Sequence, residues 1–122
     1  MIMEPGLKEL LEWIKARFGL AVATNRSNTM EEVLKTHGLT EFFDLVVSSL
    51  DVEHPKPHPE SLFKILDFFQ VGPERILYVG DSAVDEETAK RAGVPFIAYK
   101  NDALKAYRHV RAMAEIKDFL NR

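Results

Sequence analysis

Helix-like and strand-like hydrophobic patterns alternate along this chain, and the alternation restricts its possible folds more than any other feature. Residues 5–18 carry apolar side chains at helical spacing, and the short apolar run Leu20–Ala23 follows them as an expected buried strand. Further strands are expected at Leu45–Val47, Ile76–Val79 and Phe96–Tyr99. Strands that alternate with helices predict a parallel sheet covered by helices on both faces.

The segments between the expected strands have helical signals. A capping box of Thr29 and Glu32 predicts the start of one helix, and another is expected after Pro59, where a proline-rich loop ends. Asp85–Ala92 is expected to be helical, and Leu104–Leu120 is expected to hold one or two closing helices. Residues 1–122 are therefore interpreted as a single α/β domain.

Composition excludes several classes of function. The formal net charge of −3 and the scattered basic residues argue against binding to nucleic acid or to an anionic membrane. The chain has no cysteine, which excludes disulfides and thiolate metal sites, and it has no apolar stretch of about 20 residues. A cytoplasmic location is the expectation.

Polar stretches follow each expected strand. They are Thr24–Ser27, Ser48–Lys56, Gly80–Asp85 and Lys100–Asp102. Ligands of open parallel sheets bind beyond the carboxyl ends of the strands, so these stretches are the candidate site.

Two carboxylates stand out in this set. Asp81 comes where a strand is expected to end, and Asp85 falls in or near the first turn of the next helix. Both can face one small volume, and hard oxygen ligands with room for water suit Mg²⁺. Gly80 would let the backbone approach closely. The alternative is that both aspartates only cap the helix.

Groups suited to a phosphate lie in two other loops. Thr24 offers a hydroxyl, and the backbone N–H groups of Asn25 and Arg26 could add donors at a strand end. Thr24 could equally be a loop residue that bonds its own backbone. Lys56 lies between Pro55 and Pro57, which stiffen its backbone and so direct its ammonium.

Together these stretches resemble the motifs of the haloacid dehalogenase superfamily. "LAVATN" resembles the second motif, "KPHPE" the third and "VGDSAVD" the fourth. The resemblance implies a Rossmann-like three-layer core and a Mg²⁺-dependent phosphatase acting on a small phosphorylated metabolite. It further implies that Thr24 binds phosphate, that Lys56 steadies nucleophile and phosphate, and that Asp81 and Asp85 hold Mg²⁺. Within the superfamily the phosphoglycolate phosphatase branch is the most similar.

The family's first motif, DxDx(T or V), is absent from these 122 residues. In the family it supplies the aspartate nucleophile and the general acid, and it ends the central strand between those carrying Thr24 and Asp81. Asp51 follows a strand, but Glu53 stands where the second aspartate belongs, so Asp51 is expected to be a loop residue. The chain thus resembles the family's C-terminal core part without the central first strand and cap, and is expected to be inactive alone.

Exposed strand edges invite pairing with another chain. Three situations are therefore expected: a piece of a longer protein, a chain completed by a partner strand, or a rearranged homodimer. The alternative functions are a non-catalytic Mg²⁺- and phosphate-binding module, a protein-interaction module and a response-regulator receiver. The order of residues argues against the receiver, because Thr24 and Lys56 precede Asp81.

Overall fold

The computed structural model describes residues 6–25 and 29–120, and it contains five α-helices within those ranges. Single-turn 3-10 helices lie at Thr40–Phe42, Ser49–Asp51 and Pro73–Arg75. The α-helices are α1 (Leu7–Lys15), α2 (Thr29–Thr36), α3 (Glu60–Phe69), α4 (Ala83–Ala92) and α5 (Ala114–Leu120).

All strand pairs in the described part of the chain are parallel. They form two separate sheets, one of order β1-β2 and one of order β3-β4-β5. The strands are β1 (Ala21–Ala23), β2 (Leu45–Val47), β3 (Tyr78–Gly80), β4 (Phe96–Tyr99) and β5 (Arg108–Val110).

Helices cover both faces of the strands and make a three-layer α/β/α arrangement. On β4, Phe96 and Ala98 pack with α3 and α4, whereas Ile97 between them packs with α1 and α5. The opposite directions follow from the two-residue period of a strand. A third cluster, which includes Leu39, joins α1 and α2 over β2. The expected α/β fold class is confirmed.

An apolar gap separates the two sheets. A cavity of about 460 Å³ lies between β1 and β3, and residues of α1, α3 and α5 close its sides. Ile14 and Ile116 line it from one helical layer, and Leu62 and Phe69 line it from the other. The sheet is therefore interrupted at the position where the central first strand was expected to be missing.

The main chains of β1 and β3 turn hydrogen-bonding groups toward this gap. The N–H of Thr24 donates to Val47 of β2, and the N–H of Tyr78 donates to Pro95 just before β4. Because the groups of a strand alternate in direction, Ala23 and Val79 face the other way, into the gap. β1 and β3 are thus edges that face each other without pairing in the described structure.

Two expectations about the elements were wrong in detail. Residues 104–120 were expected to hold one or two closing helices; α5 is one such helix, but Arg108–Val110 forms the edge strand β5. Its three residues include only one buried apolar side chain, Val110, so neither an alternating pattern nor an apolar run marks it. The strand expected at Ile76–Val79 is shorter and begins at Tyr78.

Other boundaries agree closely with expectation. β2 and β4 have the expected bounds, and α4 ends at Ala92, where Gly93 adopts a φ of 74° that suits glycine. The expected cap of α2 falls beside residues 26–28, which lie outside the described ranges. Within the described residues, no helix is long and apolar enough to cross a membrane.

Candidate functional site

The carboxyl ends of β1, β2 and β3 bring their polar loops together, and Lys56 lies at the meeting point. Its ammonium donates hydrogen bonds to the carbonyl of Ala23 (3.1 Å), the hydroxyl of Tyr78 (2.9 Å) and Oδ1 of Asp85 (2.8 Å). Ala23 ends β1, whereas Tyr78 belongs to β3. The Lys56 side chain therefore spans the gap near the carboxyl ends of the strands and connects the two sheets.

The loop that carries Lys56 is fixed by side chains on both sides. The Asn25 amide donates to the Lys56 carbonyl (3.1 Å) and accepts from the Lys56 N–H (3.0 Å). Earlier in the loop, the Glu60 carboxylate accepts from the N–H groups of Glu53 (3.0 Å) and His54 (3.1 Å). Within this loop, the Lys56 ammonium is held by its three hydrogen bonds and does not extend freely into water.

Asp85 is buried and paired with Lys56 at one end of α4. Only 12% of its side chain and 10% of the Lys56 side chain are exposed. Burial raises the pKa of Asp85, but the hydrogen bond and charge of Lys56, with the Tyr78 hydroxyl, outweigh it and hold that pKa below its usual range. Asp85 is thus a carboxylate at neutral pH, as a metal ligand must be.

Asp81 lies beside Asp85 but presents its carboxylate to solvent. Its N–H donates to Oδ2 of Asp85 (3.2 Å), and its carbonyl accepts from the Asn101 amide (3.0 Å). The backbone of Asp81 is thereby held by α4 and by the loop after β4, while the residue remains exposed. Capping also occurs at this turn, but by Ser82, whose hydroxyl accepts from the N–H of Asp85 (3.2 Å).

The donor set suits a hard cation whose shell is shared with other ligands. Two carboxylates from one strand–helix turn are the oxygen ligands that Mg²⁺ takes, with water and substrate phosphate for the rest. Among residues 6–25 and 29–120, no three His, Asp or Glu side chains gather closely enough to hold a metal by themselves. Asp81 and Asp85 therefore fit part of a Mg²⁺ site.

The remaining predicted residues are placed as follows. Thr24 directly follows β1, at the same end of the sheets as Lys56, and is half-buried. Asn25 uses its side chain to hold the Lys56 loop, and the phosphate contact was predicted for its N–H. Arg26 lies outside the described residues. Asp51 accepts from the N–H (2.8 Å) and hydroxyl (3.0 Å) of Ser48, and the two side chains form a capping box.

Sequence reasoning missed two residues of this site. Tyr78 contacts both Lys56 and Asp85, and Asn101 supports Asp81 from the loop after β4. Tyr78 is an aromatic residue within an apolar run, a pattern typical of core packing. Asn101 falls in a polar stretch that was identified as following a strand, and that position was the available signal.

Asp85 approaches the backbone of Gly80 so closely that position 80 has no room for a side chain. A Cβ added at Gly80 would lie 2.5 Å from Cβ and 2.6 Å from Oδ2 of Asp85. We expect Gly80→Ala to displace Asp85 and to lower the free energy of unfolding by about 1–3 kcal/mol, because the added methyl group would overpack the buried Asp85 side chain. Urea denaturation measures this change.

Gly72→Ala is the matched control for that substitution. A Cβ at Gly72 would lie 2.6 Å from Oε1 of Glu74, but that carboxylate ends a flexible side chain and can swing away into water. Its effect should stay within about 0.5 kcal/mol. Equal stability of the two variants would contradict the tight Gly80–Asp85 contact.

Known proteins resemble this chain in sequence. A family model of haloacid dehalogenase-like hydrolases matches residues 2–99. The pyrophosphatase PpaX of Bacillus mycoides is 39% identical over 104 residues, which is 81% of this chain and 48% of that protein. The chain therefore spans about half the length of this curated relative.

Solved structures show the same core. A HAD-superfamily hydrolase of subfamily IA from Geobacter sulfurreducens is 47% identical, with a TM-score of 0.94 over 98% of this chain and 61% of that one. A predicted phosphoglycolate phosphatase from Haemophilus somnus is 27% identical, with a TM-score of 0.91 over 98% of this chain and 57% of that one. The chain belongs to the haloacid dehalogenase-like hydrolase family.

Proposed function

We propose that this chain supplies the phosphate- and metal-binding half of a Mg²⁺-dependent phosphomonoester hydrolase site. The observation that carries the proposal is the Lys56 ammonium, held at the carboxyl ends of β1 and β3 by Asp85 and Tyr78. A cation at this edge of a parallel sheet is placed to bind an anionic substrate.

The residues have separate roles in this proposal. Thr24, with the N–H groups of Asn25 and Arg26, binds the phosphate oxygens, and Lys56 balances the charge of phosphate and nucleophile. Asp81 and Asp85 are the protein's Mg²⁺ ligands. The metal, when bound, neutralises charge that develops on the phosphoryl oxygens.

A small phosphorylated metabolite is the proposed substrate, and the cytoplasm the proposed location. The relatives support a phosphatase-type reaction, since one is named a pyrophosphatase and another a predicted phosphoglycolate phosphatase. The net charge of −3 supports neither nucleic acid nor an anionic membrane as a partner.

The nucleophile is proposed to come from a strand outside these 122 residues that fills the gap between β1 and β3. Ala23 and Val79 turn main-chain groups into the gap, and a parallel strand would pair with both edges. Its side chains must be apolar on both faces because Ile14 and Leu62 line opposite walls. An aspartate at its carboxyl end would meet the Lys56 ammonium. A second copy of this chain is the alternative occupant.

Magnesium binding is the direct test of the metal half. We expect titration calorimetry with MgCl₂ to show saturable binding that Asp81→Asn weakens on the order of tenfold or more, through loss of one charged ligand. Asp81 is the suitable position because its carboxylate is exposed, whereas replacing Asp85 would also release Lys56.

Asp118→Asn in α5 provides the matched control, since it makes the same change at an exposed position in a different helix. It should leave Mg²⁺ affinity unchanged. The absence of Mg²⁺ binding, or an equal effect of both substitutions, would contradict the proposed metal site.

A turnover assay of the chain alone tests whether the chain lacks the nucleophile. With Mg²⁺ and p-nitrophenyl phosphate, the purified 122-residue chain should release no more p-nitrophenol than its Lys56→Met variant, because the sequence has no DxDx(T or V) motif to form a phosphoaspartate. Turnover that Lys56→Met abolishes would show that the nucleophile lies within the chain.

A further inference from the structure

Tyr78 lies at the centre of the contacts that hold Lys56 and Asp85. Its hydroxyl is 2.9 Å from the Lys56 ammonium and 2.9 Å from Oδ1 of Asp85. Its ring packs beside Phe96, with 6.0 Å between centroids, and belongs to the margin of the core. The strand and the core therefore fix the hydroxyl in space.

The direction of each hydrogen bond follows from the chemistry of the groups. An ammonium can only donate, so the Tyr78 oxygen accepts from Lys56 and its proton goes to the Asp85 carboxylate. Burial, followed by the charge and hydrogen bond of Asp85, raises the pKa of Tyr78. The geometry assigns the hydroxyl as donor to Asp85, because a carboxylate can only accept.

The Lys56 ammonium has no spare proton in this arrangement. It has three N–H groups, and they are used by Ala23, Tyr78 and Asp85. Asp85 is engaged as well, since Oδ1 accepts from Lys56 and Tyr78 while Oδ2 accepts from the N–H of Asp81. A phosphate oxygen that binds Lys56, or a cation that binds Asp85, must displace one of these bonds.

Tyr78 differs from the other partners because its oxygen can serve both groups throughout such an exchange. If Asp85 turns toward a cation, Lys56 loses one acceptor but still donates to Tyr78. If Lys56 turns one N–H toward phosphate, Asp85 still accepts from Tyr78. Lys56, Tyr78 and Asp85 thus form a triangle of three hydrogen bonds. Two of these three bonds involve the Tyr78 hydroxyl.

From this geometry we propose that Tyr78 is a positioning residue, which keeps the Lys56 ammonium and the Asp85 carboxylate in place for phosphate and metal. The inference rests on the proposed function, because that proposal supplies the phosphate and the metal. The hydrogen bonds of the triangle do not depend on it. Tyr78 acts through Lys56 and Asp85 rather than on the substrate.

Nuclear magnetic resonance of the Lys56 ammonium tests the triangle without any ligand. In the wild-type chain, the ¹H–¹⁵N signal of this ammonium should be observable, because three hydrogen bonds and burial slow its exchange with water. In Tyr78→Phe the signal should broaden or vanish. Tyr107→Phe, which removes a hydroxyl from a 66% exposed ring, should leave it unchanged.

Binding of inorganic phosphate in the presence of Mg²⁺ then tests the consequence. Tyr78→Phe should weaken phosphate binding by about tenfold, the size expected for loss of one hydrogen bond to a charged group. Tyr107→Phe should bind as the wild type does. Circular dichroism and urea denaturation show whether Tyr78→Phe is folded under the assay conditions.

The outcomes separate the two proposals. If the wild type binds neither Mg²⁺ nor phosphate but the Lys56 signal depends on Tyr78, the proposed function fails and the triangle stands. If the wild type binds both ligands while a folded Tyr78→Phe shows an unchanged Lys56 signal and unchanged affinity, the role of Tyr78 is overturned.

Discussion

The hydrogen bonds of Lys56 are the constraint on which the site depends. One ammonium contacts the last residue of β1 on one side of the gap and the Tyr78–Asp85 pair on the other. Removing one partner of a buried ion pair leaves an uncompensated charge, which is strongly unfavourable. The Lys56 contacts therefore connect two sheets that share no strand pairing at this position in the described structure.

The gap between β1 and β3 leads to the charged residues of the site. A parallel sheet covered on both faces by helices excludes water from its interior, so an unfilled position between β1 and β3 leaves an apolar cavity lined by both helical layers. At the carboxyl end of that cavity, the surroundings change from apolar to charged at Lys56. A strand that filled the cavity would thus end at a cation and beside two aspartates, which is where nucleophile, phosphate and metal must meet in the proposed reaction.

Much of this architecture could be predicted from the sequence. The alternation of helix and strand patterns indicated the fold class, and the polar stretches after the strands located Lys56, Asp81 and Asp85. What could not be predicted depends on contacts between distant residues. The Tyr78 hydroxyl acquires its role only because the loop after β2 places Lys56 beside it. β5 escaped prediction because Arg108 and His109 are exposed and polar, and its pairing with β4 decides its conformation.

Amide hydrogen exchange at Leu77 and Val79 tests the central claim most directly, namely that the edge of β3 faces an unfilled gap. Both N–H groups should exchange much faster than the N–H of Ile97, because β4 is paired with β3 on one side and with β5 on the other. Adding a peptide of five apolar residues followed by a DxDxT sequence should slow them. Exchange as slow as that of Ile97 in the monomeric chain alone would show that the edge is already paired, and the account of a half site awaiting its nucleophile strand would be wrong.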